Sequence, residues 1–87
     1  MRWTVHLAES ARADLRELPD RIRLQVFKKI ATLEEDPFPH GCKKLNTPSE
    51  LYRLRSGDYR IVYAVLRQSR IVDVIRARNR KHAYRGL

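Results

Sequence analysis

The sequence is poor in cysteine, glycine and proline, with one, three and four of them in 87 residues. A single cysteine, Cys42, excludes an intramolecular disulfide and a metal site built from paired cysteines. The three histidines lack the spacing of metal ligands. No apolar run approaches the roughly 20 residues that span a bilayer, and no signal sequence precedes the first strand-like pattern. We therefore expect a cytoplasmic protein with no membrane segment, no metal and no small-molecule cofactor.

Acidic residues are also scarce. The chain contains ten Asp and Glu but 19 Lys and Arg, which gives a net charge of +9. The imbalance lies in the second half of the chain. Residues 1–49 carry nine basic and seven acidic residues, whereas residues 50–87 carry ten and three. Such a segment favours a polyanion, because phosphate contacts supply much of the affinity for nucleic acids. An acidic protein fits the same charge, so both classes of partner are predicted.

The composition is that of one globular domain, with 43% hydrophobic and 33% charged residues. A single domain over residues 1–87 is therefore expected. A domain this small buries only about 60% of its extended-chain surface, so its stability should be modest. A partner that covers apolar surface would add to that stability.

Apolar spacing predicts a strand followed by two helices. Residues 3–7 alternate, with Trp3, Val5 and Leu7 inward and His6 outward. Helical spacing then predicts a first helix from Glu9, capped by Glu9 or Ser10 and stopped by Pro19. Asp20 is the N-cap candidate of a second helix, antiparallel to the first. Its predicted apolar stripe contains Ile22, Val26, Phe27, Ile30 and Leu33.

The second half predicts three strands. After a loop over residues 37–49, the segments 51–55, 59–66 and 71–77 are rich in Val, Ile, Leu and Tyr and are separated by short turns. The predicted fold class is α+β: an N-terminal strand, then an antiparallel helical hairpin packed on a small antiparallel sheet with a C-terminal three-strand meander. The first strand can pair parallel to the meander or at its edge, and the sequence leaves this open.

Strand alternation groups the arginines of the meander. Arg53 and Arg55 share one side of their strand, opposite Tyr52 and Leu54, and Arg76 and Arg78 share a side of the third strand. A solvated sheet face is the simplest alternative for these four. Arg60 is the only charge among apolar neighbours and requires an anionic partner. That partner is either a ligand or a structural carboxylate, Asp58 or Asp73.

The C-terminal segment combines cations with an imidazole and an aromatic ring. Arg80, Lys81, His82 and Tyr84 suit stacking and phosphate chemistry, or equally form a solvated tail. His82 is the histidine placed among these cations, and histidine titrates in the range that general acid or base catalysis needs. His6 and His40 have no such neighbours and are expected at the surface.

Two stretches resemble the RelE/ParE toxin superfamily. The run LYRLRSGDYRIVY, residues 51–63, is similar to its most recognisable segment. RARNRKHAYR, residues 76–85, is similar to its closing Arg-x-Gly-His-Arg-x-x-x-Tyr pattern. The predicted order of elements also agrees over nearly the whole chain. The resemblance implies a RelE-like toxin of a type II toxin–antitoxin pair, which is an mRNA interferase. This ribosome-dependent endoribonuclease cuts mRNA in the ribosomal A site by attack of the RNA 2′-hydroxyl, inhibits translation and needs no metal. The implied partners are an acidic RelB-like antitoxin, the ribosome and mRNA.

The resemblance also implies roles for individual residues. Arg60 matches an arginine that holds the scissile phosphate, Arg80 one that stabilises or protonates the leaving group, and Tyr84 the tyrosine that stacks on or orients the base. Arg53 and Arg55 fall where basic residues lie beside the phosphate. Cations aimed at the charge of a phosphorane are the main contribution that a protein makes without metal.

The chain departs from the family pattern at the expected base. Arg78 and Asn79 replace Gly-His, and Arg53 and Arg55 replace lysines, although guanidinium groups are poor bases. His82 or a loop lysine can substitute. The predicted catalytic residues are thus Arg60, Arg80, Tyr84 and His82, and the predicted RNA-binding residues are Arg53, Arg55, Lys43, Lys44, Arg76, Arg78 and Lys81. Two alternatives remain: a ParE-like inhibitor of DNA gyrase, and a degenerate toxin that binds RNA or its antitoxin without cutting.

Overall fold

The structure is a computed structural model that describes residues 2–87. A five-stranded sheet in the order β1-β5-β4-β3-β2 packs against two helices. The elements are β1 (Thr4–Leu7), α1 (Glu9–Glu17), α2 (Asp20–Thr32), β2 (Lys43–Lys44), β3 (Leu51–Ser56), β4 (Tyr59–Leu66) and β5 (Ile71–Asn79). This confirms the predicted α+β class and the three-strand meander.

The first strand occupies the edge of the sheet and runs parallel to β5, with Thr4 opposite Ile71 and Leu7 opposite Val74. The other three strand pairs are antiparallel. The sheet is therefore mixed, and the pairing of the first strand, which the sequence left open, is parallel and at the edge. No hairpin constrains the direction of β1, since the helical pair and the meander separate it from β5 along the chain.

The long loop contains a strand that the sequence did not predict. β2 consists of two lysines, which have no strand preference of their own. They form a strand because Lys43 pairs with Arg53 and Lys44 with Tyr52 along the edge of β3.

The predicted helix caps are wrong. Ala8 is the N-cap of α1 and makes no side-chain cap bond, while the Ser10 hydroxyl donates to the carbonyl of Ile75 on β5, 2.6 Å away. Pro19 is the N-cap of α2, and Asp20 is its first residue, paired with Arg23. Both polar side chains have partners that a local cap motif does not reveal.

The core lies between the helices and one face of the sheet. From the predicted stripe of α2, Val26 and Ile30 are buried, whereas Phe27 is 41% exposed, so its predicted place in the core is wrong. Tyr63 is fully buried and donates a hydrogen bond to the carbonyl of Pro37, 2.8 Å away, which attaches the loop to the core. Burial raises the pKa of the Tyr63 hydroxyl. None of the helices in residues 2–87 has the length and apolar character to cross a membrane.

A β-bulge in β5 determines which side chains face the core. Val62 pairs with Arg76 but the next residue, Tyr63, pairs with Val74, so Ile75 has no partner on β4. The extra residue reverses the alternation of β5. Val74 before the bulge and Ala77 after it both belong to the core. Arg76 and Arg78 consequently point to the opposite face of the sheet.

Candidate nucleic-acid interface

The sheet face opposite the helices carries two rows of cross-strand neighbours. Arg55, Arg60 and Arg78 are in register across β3, β4 and β5. The second row runs through Lys43, Arg53, Val62 and Arg76. We call the six cations of these two rows the basic face. Directly opposite residues of a sheet have Cβ atoms about 5 Å apart, so like charges in one row repel unless an anion lies between them. The arrangement favours a bound anion.

Arg60, at the centre of the first row, is only 8% exposed. Its Nη1 donates to the carbonyls of Gly57 at 3.0 Å and Tyr59 at 3.1 Å, both at the β3–β4 turn. Neither alternative ion pair forms, because Asp73 pairs with His6, and no carboxylate within residues 2–87 forms a salt bridge with Arg60. A buried cation without a counter-charge is costly, so Arg60 is the strongest candidate for phosphate binding.

Arg78 is held from the helical side of the sheet. Its Nε donates to both carboxylate oxygens of Asp14 on α1, at 3.0 and 3.1 Å. Asp14 also accepts the backbone N–H of Ala77 at 3.0 Å. Because β1 ends opposite Val74, this part of β5 has no strand beside it on that edge, and α1 supplies the missing acceptor. Sequence reasoning missed Asp14, since only the register of β1 on β5 places it there.

The tail, residues 80–87, begins beside the same turn as Arg60. The backbone N–H of Arg80 donates to the carbonyl of Asp58 at 2.8 Å, which places the backbone of Arg80 beside the β3–β4 turn, two residues beyond Arg78. Asn79 accepts the N–H of Lys81 on Oδ1 at 3.0 Å and the N–H of His82 on its carbonyl at 2.9 Å. The asparagine therefore shapes the turn that carries these residues.

His82 and Tyr84 line different cavities. His82 contributes to one of about 380 Å³ together with Asp14 and Arg78, on the side of α1. Tyr84, 41% exposed, lines one of about 230 Å³ with Leu45, Asn46, Thr47 and Leu87, near the end of β2. The structure therefore does not bring the predicted base and the predicted stacking ring into one pocket.

Arg76 is committed to the tail. Its Nη1 donates to the carbonyl of Ala83 at 3.1 Å and to that of Arg85. Burial lowers the pKa of Arg76, and the neighbouring charge of Arg78 acts in the same direction. Arg55 lies on the same face of the sheet but, unlike Arg76, is exposed.

The predicted loop lysines separate. Lys43 is opposite Arg53 and so belongs to the basic face, whereas Lys44 is opposite Tyr52 and points to the other side of β2. Arg53 makes one long hydrogen bond, 3.5 Å, from Nη1 to the carbonyl of Gly41. Lys81 is exposed on the tail. Within residues 2–87 no group of His, Cys, Asp and Glu side chains is arranged to hold a metal ion.

The fold and the two rows of cations define a small α+β protein with a basic sheet face. A family model described as the ParE toxin of type II toxin–antitoxin systems, parDE, matches residues 5–84. A candidate toxin of Methanocaldococcus jannaschii, called RelE1, is 34% identical over 90 residues, covering 99% of both chains. The chain therefore belongs to the ParE toxin family within the RelE/ParE superfamily, and it is a RelE-like toxin of a type II toxin–antitoxin system.

Solved structures agree with this assignment. One chain of the RelBE2 toxin–antitoxin complex of Mycobacterium tuberculosis superposes with a TM-score of 0.81 at 27% identity, covering 91% of this chain and 99% of its own length. A chain of the archaeal RelE–RelB complex of Pyrococcus horikoshii OT3 gives 0.80 at 27% identity, covering 95% and 100%. Both neighbours are complexes of a toxin with an antitoxin.

Proposed function

We propose that this toxin is a ribosome-dependent endoribonuclease that cuts mRNA in the A site and so inhibits translation. The observation that supports it most strongly is Arg60, a cation that is 8% exposed, has no carboxylate partner in residues 2–87 and lies between Arg55 and Arg78. A phosphodiester in this position would supply the missing negative charge.

The reaction needs no metal. The RNA 2′-hydroxyl attacks the adjacent phosphorus, the bond to the 5′-oxygen of the next nucleotide breaks, and a 2′,3′-cyclic phosphate remains. Arg60 binds the phosphate, and its charge stabilises the negative charge that develops on the phosphorane. Arg80, fixed at the same turn through Asp58, neutralises or protonates the leaving oxygen. Tyr84 stacks on or orients a base beside the cut.

Two residues are candidates for the base that accepts the 2′-hydroxyl proton. Lys43 lies on the basic face beside Arg53, whereas His82 lines the cavity on the side of α1. Arg53 and Arg55 bind flanking phosphates, together with Lys81 on the tail. Lys44 points away from the basic face, so any contact it makes with the ribosome lies outside this site.

The proposed partners in the cell are a RelB-like acidic antitoxin, the ribosome and mRNA, in the cytoplasm. Both structural neighbours described above are bound to antitoxins. An acidic antitoxin would neutralise part of the +9 charge of the toxin and compete with RNA for the same cations.

Inducible expression of the chain without an antitoxin tests this function. Translation should stop, and mapping of RNA ends should show cuts in the A-site codons of translated messages. The double variant Arg60→Ala, Arg80→Ala should be harmless at equal protein level. A matched control is Arg16→Ala on the helical side, which should remain toxic. Growth arrest with intact messages, or a double variant that still cuts them, would contradict the proposal.

One observation favours a second function, inhibition of DNA gyrase: the matching family model bears the name of ParE. ParE-like members generally lack the combination of arginines and tyrosine found here in Arg60, Arg80 and Tyr84. A gyrase supercoiling assay separates the two functions. Inhibition of supercoiling by purified toxin, together with DNA damage signalling and no RNA cuts, would establish the second one.

A further inference from the structure

The tail extends from the end of β5 to the loop after β2, and hydrogen bonds hold it at its start and again around Tyr84. At its start, the N–H of Arg80 donates to the carbonyl of Asp58. Further along, one atom, Nη1 of Arg76, donates to the carbonyls of Ala83 and Arg85. These two carbonyls belong to the residues on either side of Tyr84. One guanidinium therefore fixes the backbone before and after the tyrosine.

The surroundings of Arg76 are those of an anchor beneath the tail. Val62, its partner on β4, and Ala83 are both fully buried, although neither belongs to the core cluster on the helical side. The tail therefore covers this part of the sheet. Nε of Arg76 is buried without a hydrogen bond in residues 2–87, so this nitrogen of the guanidinium is enclosed by protein. Bonds from a charged donor to carbonyls are about twice as strong as neutral ones.

The orientation of the Tyr84 side chain depends on the hydrogen bonds of Arg76 to the tail. The Tyr84 hydroxyl makes no hydrogen bond within residues 2–87, and the ring is partly exposed. Nothing at the end of the side chain holds it, so the position of the ring follows from the backbone of residues 83–85.

We propose that Arg76 is a positioning residue that fixes the tail and thereby orients Tyr84, and that it does not itself contact RNA. The effect on cleavage rests on the proposed endoribonuclease function. The anchoring rests only on hydrogen bonds within the chain, so the two are tested separately.

Hydrogen exchange measured by mass spectrometry tests the anchoring without RNA. Arg76→Met retains an apolar stem of similar length but removes the donors, so amides of residues 80–87 should exchange about tenfold faster, while the strands keep their protection. Arg16→Met, which removes one cation from the helical side, should leave the tail unchanged. Equal tail exchange in wild type and Arg76→Met would overturn the proposal.

If Arg76→Met does not fold, Arg76→Lys replaces it. The lysine keeps the charge but lacks the planar fork of donors, so the tail should still exchange faster than in wild type. Tail exchange as slow as in wild type would show that the guanidinium is not the anchor.

A double-mutant cycle on RNA cleavage tests the role of Arg76 in the reaction. Misplacing a catalytic or orienting group by about 1 Å costs up to about 100-fold in rate, so Arg76→Met should lower kcat by about 10- to 100-fold with little change in KM. In a Tyr84→Ala background the same substitution should cost less than about threefold, because the tyrosine it positions is absent. Equal losses in both backgrounds would indicate a direct RNA contact and overturn the proposal. If wild type does not cut RNA, the proposed function fails, while the exchange result still decides the anchoring.

Discussion

Asp14 and Arg78 link the helical layer to the basic face across the open edge of β5. The carboxylate on α1 accepts two hydrogen bonds from Nε of the arginine and a third from the N–H of Ala77. The two bonds from Arg78 both come from Nε, so they do not use its terminal nitrogens. Asp14 thus accepts a hydrogen bond from the unpaired edge of β5 and orients Arg78, the third arginine in the row.

Removing this carboxylate should destabilise the protein. Asp14→Ala leaves the Ala77 N–H and the Arg78 Nε without their acceptor, and we expect the free energy of unfolding to fall by about 2 kcal/mol. Urea denaturation followed by circular dichroism measures it. The matched control is Glu9→Ala, which removes an exposed carboxylate 3.7 Å from Arg16 and should change stability by less than about 0.5 kcal/mol. Equal effects of the two substitutions would contradict the role given to Asp14.

Arg60 should be replaceable without loss of stability. Arg60→Met removes a buried cation that has no carboxylate partner and keeps most of the apolar stem, so the free energy of unfolding should stay within about 1 kcal/mol of wild type or rise. Binding to a short single-stranded RNA should weaken by about tenfold or more at low salt. A variant that unfolds easily but binds RNA like wild type would show that Arg60 is structural.

Tyr63 predicts a pH dependence of stability. Free tyrosine titrates near pH 10, and burial raises the pKa of Tyr63 in the folded protein. Above about pH 10 the unfolded chain loses this proton while the folded chain keeps it, so the stabilisation, complete below that pH, falls by about 1.4 kcal/mol per pH unit.

The variant Tyr63→Phe isolates this effect. It loses the hydrogen bond to Pro37 and should be about 1 kcal/mol less stable at pH 7. Because phenylalanine does not titrate, the difference between the two proteins should close near about pH 11. Urea denaturation of both proteins from pH 7 to pH 11 measures the difference, and a constant gap would contradict the account.

Separate substitutions of Lys43 and His82 should identify the general base. Loss of a general base typically lowers the rate by about 100-fold or more. Removal of a phosphate-binding cation chiefly weakens binding and reduces its salt dependence. We expect one of Lys43→Met and His82→Gln to remove a limb of the pH–rate profile, with Lys44→Met as the control on the other side of β2. If neither changes the profile, the base is not among these residues.

Strand alternation was sufficient to predict part of the site. It grouped Arg53 with Arg55 because β3 is regular, and the structure shows both opposite the buried Tyr52 and Leu54. On β5 the same rule would place Val74 and Arg76 on one side of the strand. The bulge at Ile75 separates them, and no sequence signal marks it.

The remaining errors concern contacts between distant segments. Asp14 is 64 residues from Arg78, and Ser10 is 65 residues from the carbonyl that it binds. Local cap rules assign such side chains to their own helix, since they contain no information about tertiary partners. The strand of Lys43 and Lys44 likewise exists only through its pairing with β3. The composition of the basic face was thus predictable, whereas the bonds that hold it were not.

Single-turnover cleavage of mRNA on programmed ribosomes tests the central claim most directly. Wild-type toxin should cut once, in the A-site codon, and should leave a 2′,3′-cyclic phosphate. The buffer contains EDTA to bind trace transition metals, with magnesium in excess of the EDTA so that the ribosomes stay intact. Arg60→Met should bind the same ribosomes and cut at least about 100-fold more slowly, because the cation opposite the developing charge is gone. An intact message with wild type, or equal rates for the two proteins, would contradict the account.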